Sequence, residues 1–336
     1  MADIGMQRSP SPAMGIGKTI SRSLILQLLL GVFCAAAVAQ YPARAVRMIV
    51  PFPGGSTVDA VARIVAQPLA ASFSQQVVVD NKPGADGSIA ALEVMRAPPD
   101  GYTLLFATNS PLAAVPTMRK TPPYDPVADF TPISFVGRYL HFVLVTPGLP
   151  VKSMSEFFTH ARANQGKLNY GSGGTFHMIA TAQLMKLGGI SMTHVYYKGE
   201  PAALVDLIAG RIQFMVTSQG TSMELVKDGR LRAIATTSTR RSDVLPDVPT
   251  LAEAGLPPFA VVPWAALFGP AKMPADVVDR INREMNAALG RVEVREQFAR
   301  QAIEPSGSTP NELRILLREQ LEVWSRNVRE LGLQTE

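Results

Sequence analysis

The chain has 336 residues, with 32 Lys and Arg against 27 Asp and Glu, a formal charge of +5, and one cysteine. That mild basic balance, with no cluster of Lys and Arg interleaved with aromatics, argues against a nucleic-acid surface. A single thiol excludes a disulfide framework and a thiolate metal site.

Residues 1–39 read as an export signal. Lys18 and Arg22 precede an apolar run over 24–39 that ends in Ala37-Val38-Ala39, the small-residue pattern a signal peptidase accepts. The apolar core, about 16 residues, is short of the roughly 20 that a membrane-spanning helix needs. Cleavage after Ala39 removes Cys34, Asp3, Arg8, Lys18 and Arg22. Lys and Arg then exceed Asp and Glu by three, from 32 less three against 27 less one. Met14 offers a second start that would shorten the leader. The expected product is a periplasmic chain, long enough for one large or two ordinary lobes.

From Val46 onward short β-branched runs alternate with helical stretches. Val46–Val50 predicts a strand, followed by the turn Pro51–Asp59 and a helix over Ala60–Phe73 that Pro68 kinks or restarts. Val77–Asp80 predicts a strand, 81–84 a turn, Ser88–Arg96 a helix and Tyr102–Ala107 a strand. This rhythm points to a mostly parallel α/β sheet. Residues 121–132, rich in Pro and Asp, read as a surface connection, and Ile133–Val136 and Phe142–Thr146 as strands. A second series follows, with helices over 153–164, 176–187 and 201–210 and strands over 168–171, 193–196, 212–216 and 231–236. Residues 246–258 form another Pro-rich connection. The end is helical over 274–289, 292–301 and 310–331, the last opened by Ser308-Thr309-Pro310. Two α/β series joined by extended segments predict two lobes with a cleft between them. Lobe 1 is expected over 41–140 plus 256–336, and lobe 2 over 141–255.

Each series contains a glycine-rich strand-to-helix turn. The first is Pro51–Asp59, PFPGGSTVD, and the second Asn169–His177, NYGSGGTFH. Such turns aim several backbone N–H groups, and the positive end of a helix, at an anion. If both face one cleft, two helix N-termini grip one carboxylate-bearing ligand. Asp59 is placed to cap its helix or brace the loop. Phe176 either packs in its lobe or walls the pocket, and His177 is a candidate pocket residue on the first helical turn. Thr108-Asn109-Ser110 and Thr217-Ser218-Gln219 follow strand ends, where ligands sit in open α/β sheets. Trp264 lies in the return segment near the hinge, as cleft lining or as core.

An enzyme is the rival reading. The four histidines, His141, His160, His177 and His194, stand 17 to 19 residues apart with no i, i+4 pair for zinc. Tyr170 stands where a nucleophile elbow around Ser172 would need glycine. No Ser-x-x-Lys pattern and no dinucleotide fingerprint occurs after the leader. Neither a metal nor a cofactor is expected, and a hydrolase or isomerase acting on a carboxylate is a minor alternative.

The order and spacing of several segments carry a resemblance. They include IVPFPGGSTVDAVAR (49–63), VVVDNKPGADGSIA (77–90), APPDGYTLL (97–105), YDPVADFTPIS (124–134), LNYGSGG (168–174), HVYYKG (194–199), DLIAGRIQ (206–213), GRLRAIATTSTRRSDVLPDVPTLAEAGLP (229–257) and PWAALFGPAKMP (263–274). With these the chain resembles the periplasmic solute receptors of tripartite tricarboxylate transporters, the Bug family, from Tyr41 to about Leu333. The resemblance implies a two-lobed Venus-flytrap receptor with the type II periplasmic binding protein fold, and a monomer is expected. It implies capture of a small organic acid for delivery to membrane transporter subunits; a receptor that reports its ligand to a signalling partner is the alternative that the sequence does not separate from transport. Carried over by position, the ligand contacts are Pro53, Gly54, Gly55, Ser56, Thr57 and Asp59, with Ser172, Gly173, Gly174 and Thr175. The chain departs from the family pattern at Ser56, where a further glycine is common. Its second loop is about two residues short of the usual form, Thr217-Ser218 replaces Asp-Asn, and Ala265-Ala266 replaces Tyr-Gly after Trp264. These changes fall where ligand type is set, so no particular acid is implied.

Overall fold

Strand β1 (Val46–Val50) buries every residue except Arg47, which marks it as an inner strand. It lies parallel to β2 (Val77–Asn81) on one side and β3 (Thr103–Thr108) on the other. The computed structural model describes residues 1–2 and 41–333, except 239, 243–244, 258–260 and 262; the expected leader and its cleavage point lie outside the described residues.

Helix α1 (Thr57–Phe73) and helix α2 (Ser88–Met95) connect these strands. Helix α1 starts three residues earlier than expected, because Ser56 caps it, and it runs through Pro68 as one element. After β3 the chain makes a π-helical turn over Ser110–Ala114 and a short helix α3 (Val115–Met118). Strand β4 (Phe130–Tyr139) completes the outward path. The first sheet has the order β11-β4-β10-β3-β1-β2, where β10 (Trp264–Pro270) and β11 (Ile303–Pro305) come from the end of the chain.

The second sheet begins one residue after β4 ends. Strand β5 (His141–Val145) pairs with β8 (Phe214–Ser218) and β9 (Arg232–Thr236). Strand β6 (Asn169–Ser172) pairs with β8 and with β7 (Thr193–Tyr196), giving the order β7-β6-β8-β5-β9. Helices α4 (Met154–Ala163), α5 (Thr175–Gly188), α6 (Glu200–Ile208) and α7 (Gln219–Lys227) cover it. The chain therefore crosses between sheets at Leu140 and again between Thr236 and Trp264. The Leu140 N–H donates to Ala302 O at 3.1 Å, and its carbonyl accepts from Gln219 N at 2.8 Å, which ties this crossover to both lobes.

The expectation of a mostly parallel sheet is corrected. β10 runs antiparallel to β3 and β4, β11 runs antiparallel to β4, and β5 runs antiparallel to both its neighbours. The physical reason is the double crossover: β5 and β10, the strands that enter a lobe from the hinge, run opposite to those of the βαβ units. β10, β11, α7 and the Ser110–Ala114 turn are elements the sequence reading did not assign.

Helices α8 (Ala275–Gly290) and α9 (Val292–Arg300) pack on the first lobe. The last helix, α10 (Pro310–Glu330), opens with a capping box between Thr309 and Glu312. Its first half buries Leu313 and Leu317 in the core of the first lobe. Its second half buries Trp324 and Val328 in the core of the second lobe, where Asn327 also bonds Gln183. Ala113 and Ala114 join that second core as well. The C-terminal helix, placed with lobe 1 by chain order, thus straps both lobes together. Trp324→Ala removes a fully buried ring and is expected to cost about 3–5 kcal/mol, read as a lower urea midpoint; a loss below about 1 kcal/mol would remove the strap from the account.

Candidate ligand-binding site

The first glycine turn is held rigid by its own polar groups. Ser56 Oγ donates to Pro53 O at 2.8 Å and accepts from Asp59 N at 3.2 Å. Asp59 is the third helical residue, not the cap. Its carboxylate accepts from Gly55 N at 3.1 Å, Arg63 Nε at 3.0 Å and Asn81 Nδ2 at 3.0 Å, while Asn81 also donates to Phe52 O. Burial pushes Asp59 upward, but the bonds from Arg63, the Gly55 N–H and Asn81 hold it below the usual carboxylate range. Gly55 has φ +80°, a conformation that side chains rarely adopt. Helix geometry leaves the Thr57 and Val58 N–H groups without intrahelical acceptors.

The second turn is built by close backbone packing. A Cβ on Gly173 would stand 2.4 Å from Glu200 N, so only glycine lets α6 start beside this loop. Gly174 caps α5 without a side-chain bond. Ser172 Oγ turns away to His194 Nε2 at 2.7 Å.

Between the turns lies a cavity of about 50 Å³. The first lobe lines it with Phe52, Ser56, Thr57 and Val58 from the α1 end and with Thr108, Asn109 and Ser110 from the β3 end. The crossovers contribute Tyr139, His141 and Pro263, and the second lobe Gly173, Phe176, His177, Glu200 and Ser218. Among these described lining residues there is no Lys or Arg.

Glu200 is the electrostatic centre of the wall. Its Oε1 lies 2.9 Å from His177 Nε2 and accepts from Ser218 N at 2.8 Å. Its Oε2 accepts from Ser218 Oγ at 2.5 Å and Thr221 Oγ1 at 3.0 Å. Burial pushes Glu200 upward, but the His177 bond, the charge interactions with His177 and His141, and Ser218 hold it well below the usual range, so it is ionised. Burial, reinforced by His177, lowers His141 to about 3, so that ring is neutral. Burial and the Glu200 charge raise Tyr139 well above its ordinary value, so its hydroxyl keeps its proton.

Four buried polar atoms on the lining residues have no hydrogen-bond partner: Asn109 Nδ2, Tyr139 OH, His141 Nδ1 and His177 Nδ1. An unpaired buried group costs about 1–3 kcal/mol, so four on the lining residues of one cavity are an unusual concentration of unspent hydrogen-bonding capacity.

The lobes also touch directly. Thr57 Oγ1 lies 2.7 Å from Ser218 Oγ, and since Ser218 donates to Glu200, Thr57 is the donor. A Cβ on Gly199 would stand 2.8 Å from the Pro53 ring, and one on Gly220 would stand 2.7 Å from Gln301 O and 3.1 Å from Thr57 Cγ2. These contacts define a closed arrangement.

Of the residues expected at the site, Ser56, Thr57, Asn109, Gly173, Phe176, His177 and Ser218 line the cavity. Pro53, Gly54, Gly55, Asp59, Ser172, Gly174, Thr175 and Thr217 lie outside that lining; the first six belong to the two turns beside it, Thr175 opens α5 and Thr217 lies within β8. Trp264 begins a central strand, is 2% exposed and packs with Phe268 in the first lobe's core. Phe52, Val58, Tyr139, His141, Glu200 and Pro263 were not anticipated. Tyr139 and His141 flank Leu140, and a residue at a crossover is necessarily at the floor of the cleft; that signal was available.

The chain matches the family model described as tripartite tricarboxylate transporter family receptor over residues 61–333. It is 33% identical over 318 residues to Protein BugT of Bordetella pertussis, covering 91% of this chain and 97% of that protein. Among solved structures it resembles R. palustris Rpa4515 with adipate, with 31% identity, a TM-score of 0.83 and coverage of 87% and 98% of the two chains. It also resembles MatC from Rhodopseudomonas palustris with bound malate, with 29% identity, a TM-score of 0.79 and coverage of 86% and 100%.

Proposed function

Because the chain belongs to the tripartite tricarboxylate transporter receptor family, and is thus a solute-binding receptor with that family's two-lobe fold, we propose that its solute is a small organic carboxylate enclosed between the lobes. The observation that carries this reading is the set of unpartnered buried polar atoms, Asn109 Nδ2, Tyr139 OH, His141 Nδ1 and His177 Nδ1, on residues that line one interlobe cavity. Asn109 and Tyr139 supply neutral donors, and the α1 end adds backbone N–H groups and a favourable dipole. Helix-end electrostatics of about 0.3–2 kcal/mol and charge-assisted hydrogen bonds of about 1.5–3 kcal/mol each reach the roughly 8 kcal/mol of a micromolar complex without an arginine. Relatives with adipate and malate support the same ligand class.

The closed cavity has room for only a few waters. Compact acids of malate size are therefore favoured over longer ones, which hold the lobes apart. The receptor is exported to the periplasm, works as a monomer, releases its acid unchanged to the transporter subunits and catalyses no reaction on it. Among the described residues no helix is long and apolar enough to cross a membrane.

A thermal-shift and calorimetry panel of organic acids tests the reading, because a ligand of the folded state raises its apparent stability. Stoichiometric binding of at least one compact carboxylate, without product, is expected. Turnover of the acid, or binding confined to uncharged solutes, contradicts it. Tyr139→Phe separates ligand contact from packing: it removes an unpaired buried hydroxyl, so stability without ligand is unchanged or higher. Acid affinity falls by about 2- to 10-fold, the worth of one hydrogen bond. Equal affinity in wild type and variant would take Tyr139 out of the site.

A further inference from the structure

In the cavity wall, His141, His177 and Glu200 meet from three separate elements: the first residue of β5, the first turn of α5 and the first residue of α6. They are 3%, 8% and 7% exposed, and each offers a ligating atom within 4.8 Å of the other two. From this geometry we propose that the three side chains form a binding site for a divalent first-row transition ion such as Zn²⁺, Co²⁺ or Ni²⁺.

The donor set selects the ion class. Two imidazoles and one carboxylate suit these metals, whereas Mg²⁺ and Ca²⁺ favour oxygen-only sites. The spacing also fits. His177 Nε2 and Glu200 Oε1 are 2.9 Å apart, close to the separation of two adjacent ligands at right angles with bonds of about 2.1 Å. Without metal, the His177 proton fills that gap. The ion takes its place on Nε2, and the ring keeps its single proton on the unpartnered Nδ1. An outer layer is present too: Ser218 N–H, Ser218 Oγ and Thr221 Oγ1 all donate to Glu200 and fix its orientation.

Two further observations point the same way. His141 keeps a buried Nδ1 with no hydrogen-bond partner, and His177 Nδ1, equally unpartnered, is free to carry the ring proton when Nε2 binds the ion. The lining has no Lys or Arg, and an ion beside Glu200 supplies the positive charge that the wall otherwise lacks. Three protein ligands leave coordination positions open toward the cavity. That an acid's carboxylate fills one of them rests on the reading above; the metal site itself does not.

The test is a Co²⁺ titration of the untagged, metal-free exported chain, followed by visible absorption and equilibrium dialysis, with no organic acid present. One saturable ion per chain is expected, with visible d–d bands. His177→Ala and Glu200→Gln, each checked for folding by circular dichroism, should abolish the bands. Thr221→Val keeps all three ligands and should weaken the ion 10- to 100-fold, as loss of an outer-layer partner does. His160→Ala, outside the cluster, should leave binding unchanged. Absence of saturable uptake by wild type at millimolar Co²⁺ overturns the site, as does uptake that survives loss of both His141 and His177. Failure here leaves the carboxylate reading standing, and failure of the acid panel leaves this site standing.

Discussion

Gly220→Ala is expected to weaken acid binding by about 5- to 150-fold while leaving the folded lobes as stable as before or more so. Gly220 is the second residue of α7, where alanine is the better helix former by about 1 kcal/mol. Within its own lobe the change is therefore favourable. Across the cleft it is not. The new Cβ meets Gln301 O at 2.7 Å and Thr57 Cγ2 at 3.1 Å, both on the first lobe, and such overpacking costs about 1–3 kcal/mol. That cost exists only when the lobes are together, so it subtracts from the free energy of ligand-driven closure. Calorimetry gives the affinity, and solution scattering should show a larger radius of gyration with acid present than in the wild type. Unchanged affinity would mean that the bound form does not bring α7 against Gln301.

Glu200→Ala is expected to lower stability by about 3–5 kcal/mol, because each buried donor left without its acceptor costs about 1–3 kcal/mol. Glu200 accepts from the Ser218 N–H, Ser218 Oγ and Thr221 Oγ1 and pairs with His177. Alanine leaves these groups without their acceptor inside the protein and takes an anion from the N-terminus of α7, where the helix dipole favours one. Glu200→Gln keeps an acceptor of the same shape and should lose less. Urea unfolding of the three proteins provides the ranking, and an alanine variant within about 1 kcal/mol of wild type would show that the cluster is not held through Glu200.

The parts of the site that were legible in the sequence are those with a local signal. Gly54-Gly55-Ser56 and Gly173-Gly174 stand between a β-branched run and a helical pattern, and the structure puts both turns at helix starts beside one cavity. Asn109 and Ser218, read from the rule that ligands sit beyond strand ends, line that cavity. What failed was tertiary. His141, His177 and Glu200 are distant in sequence, and nothing in their neighbourhoods foretells that β5, α5 and α6 start at the same point. Trp264 was left open as lining or core; β10 runs through the middle of a six-stranded sheet and makes that ring core. Helix α7 was missed because Gln219-Gly220-Thr221-Ser222 looks like a loop; its start is held by Leu140 O and by the Ser218–Glu200 contacts.

The most direct measurement is a crystal structure of the exported chain grown with the tightest acid of the panel. The account predicts a closed cleft with a carboxylate of the acid within hydrogen-bond distance of Asn109 Nδ2, Tyr139 OH and an N–H at the start of α1. An acid seated on the outer surface, with Asn109, Tyr139 and His177 still unpartnered inside a closed cavity, would contradict it.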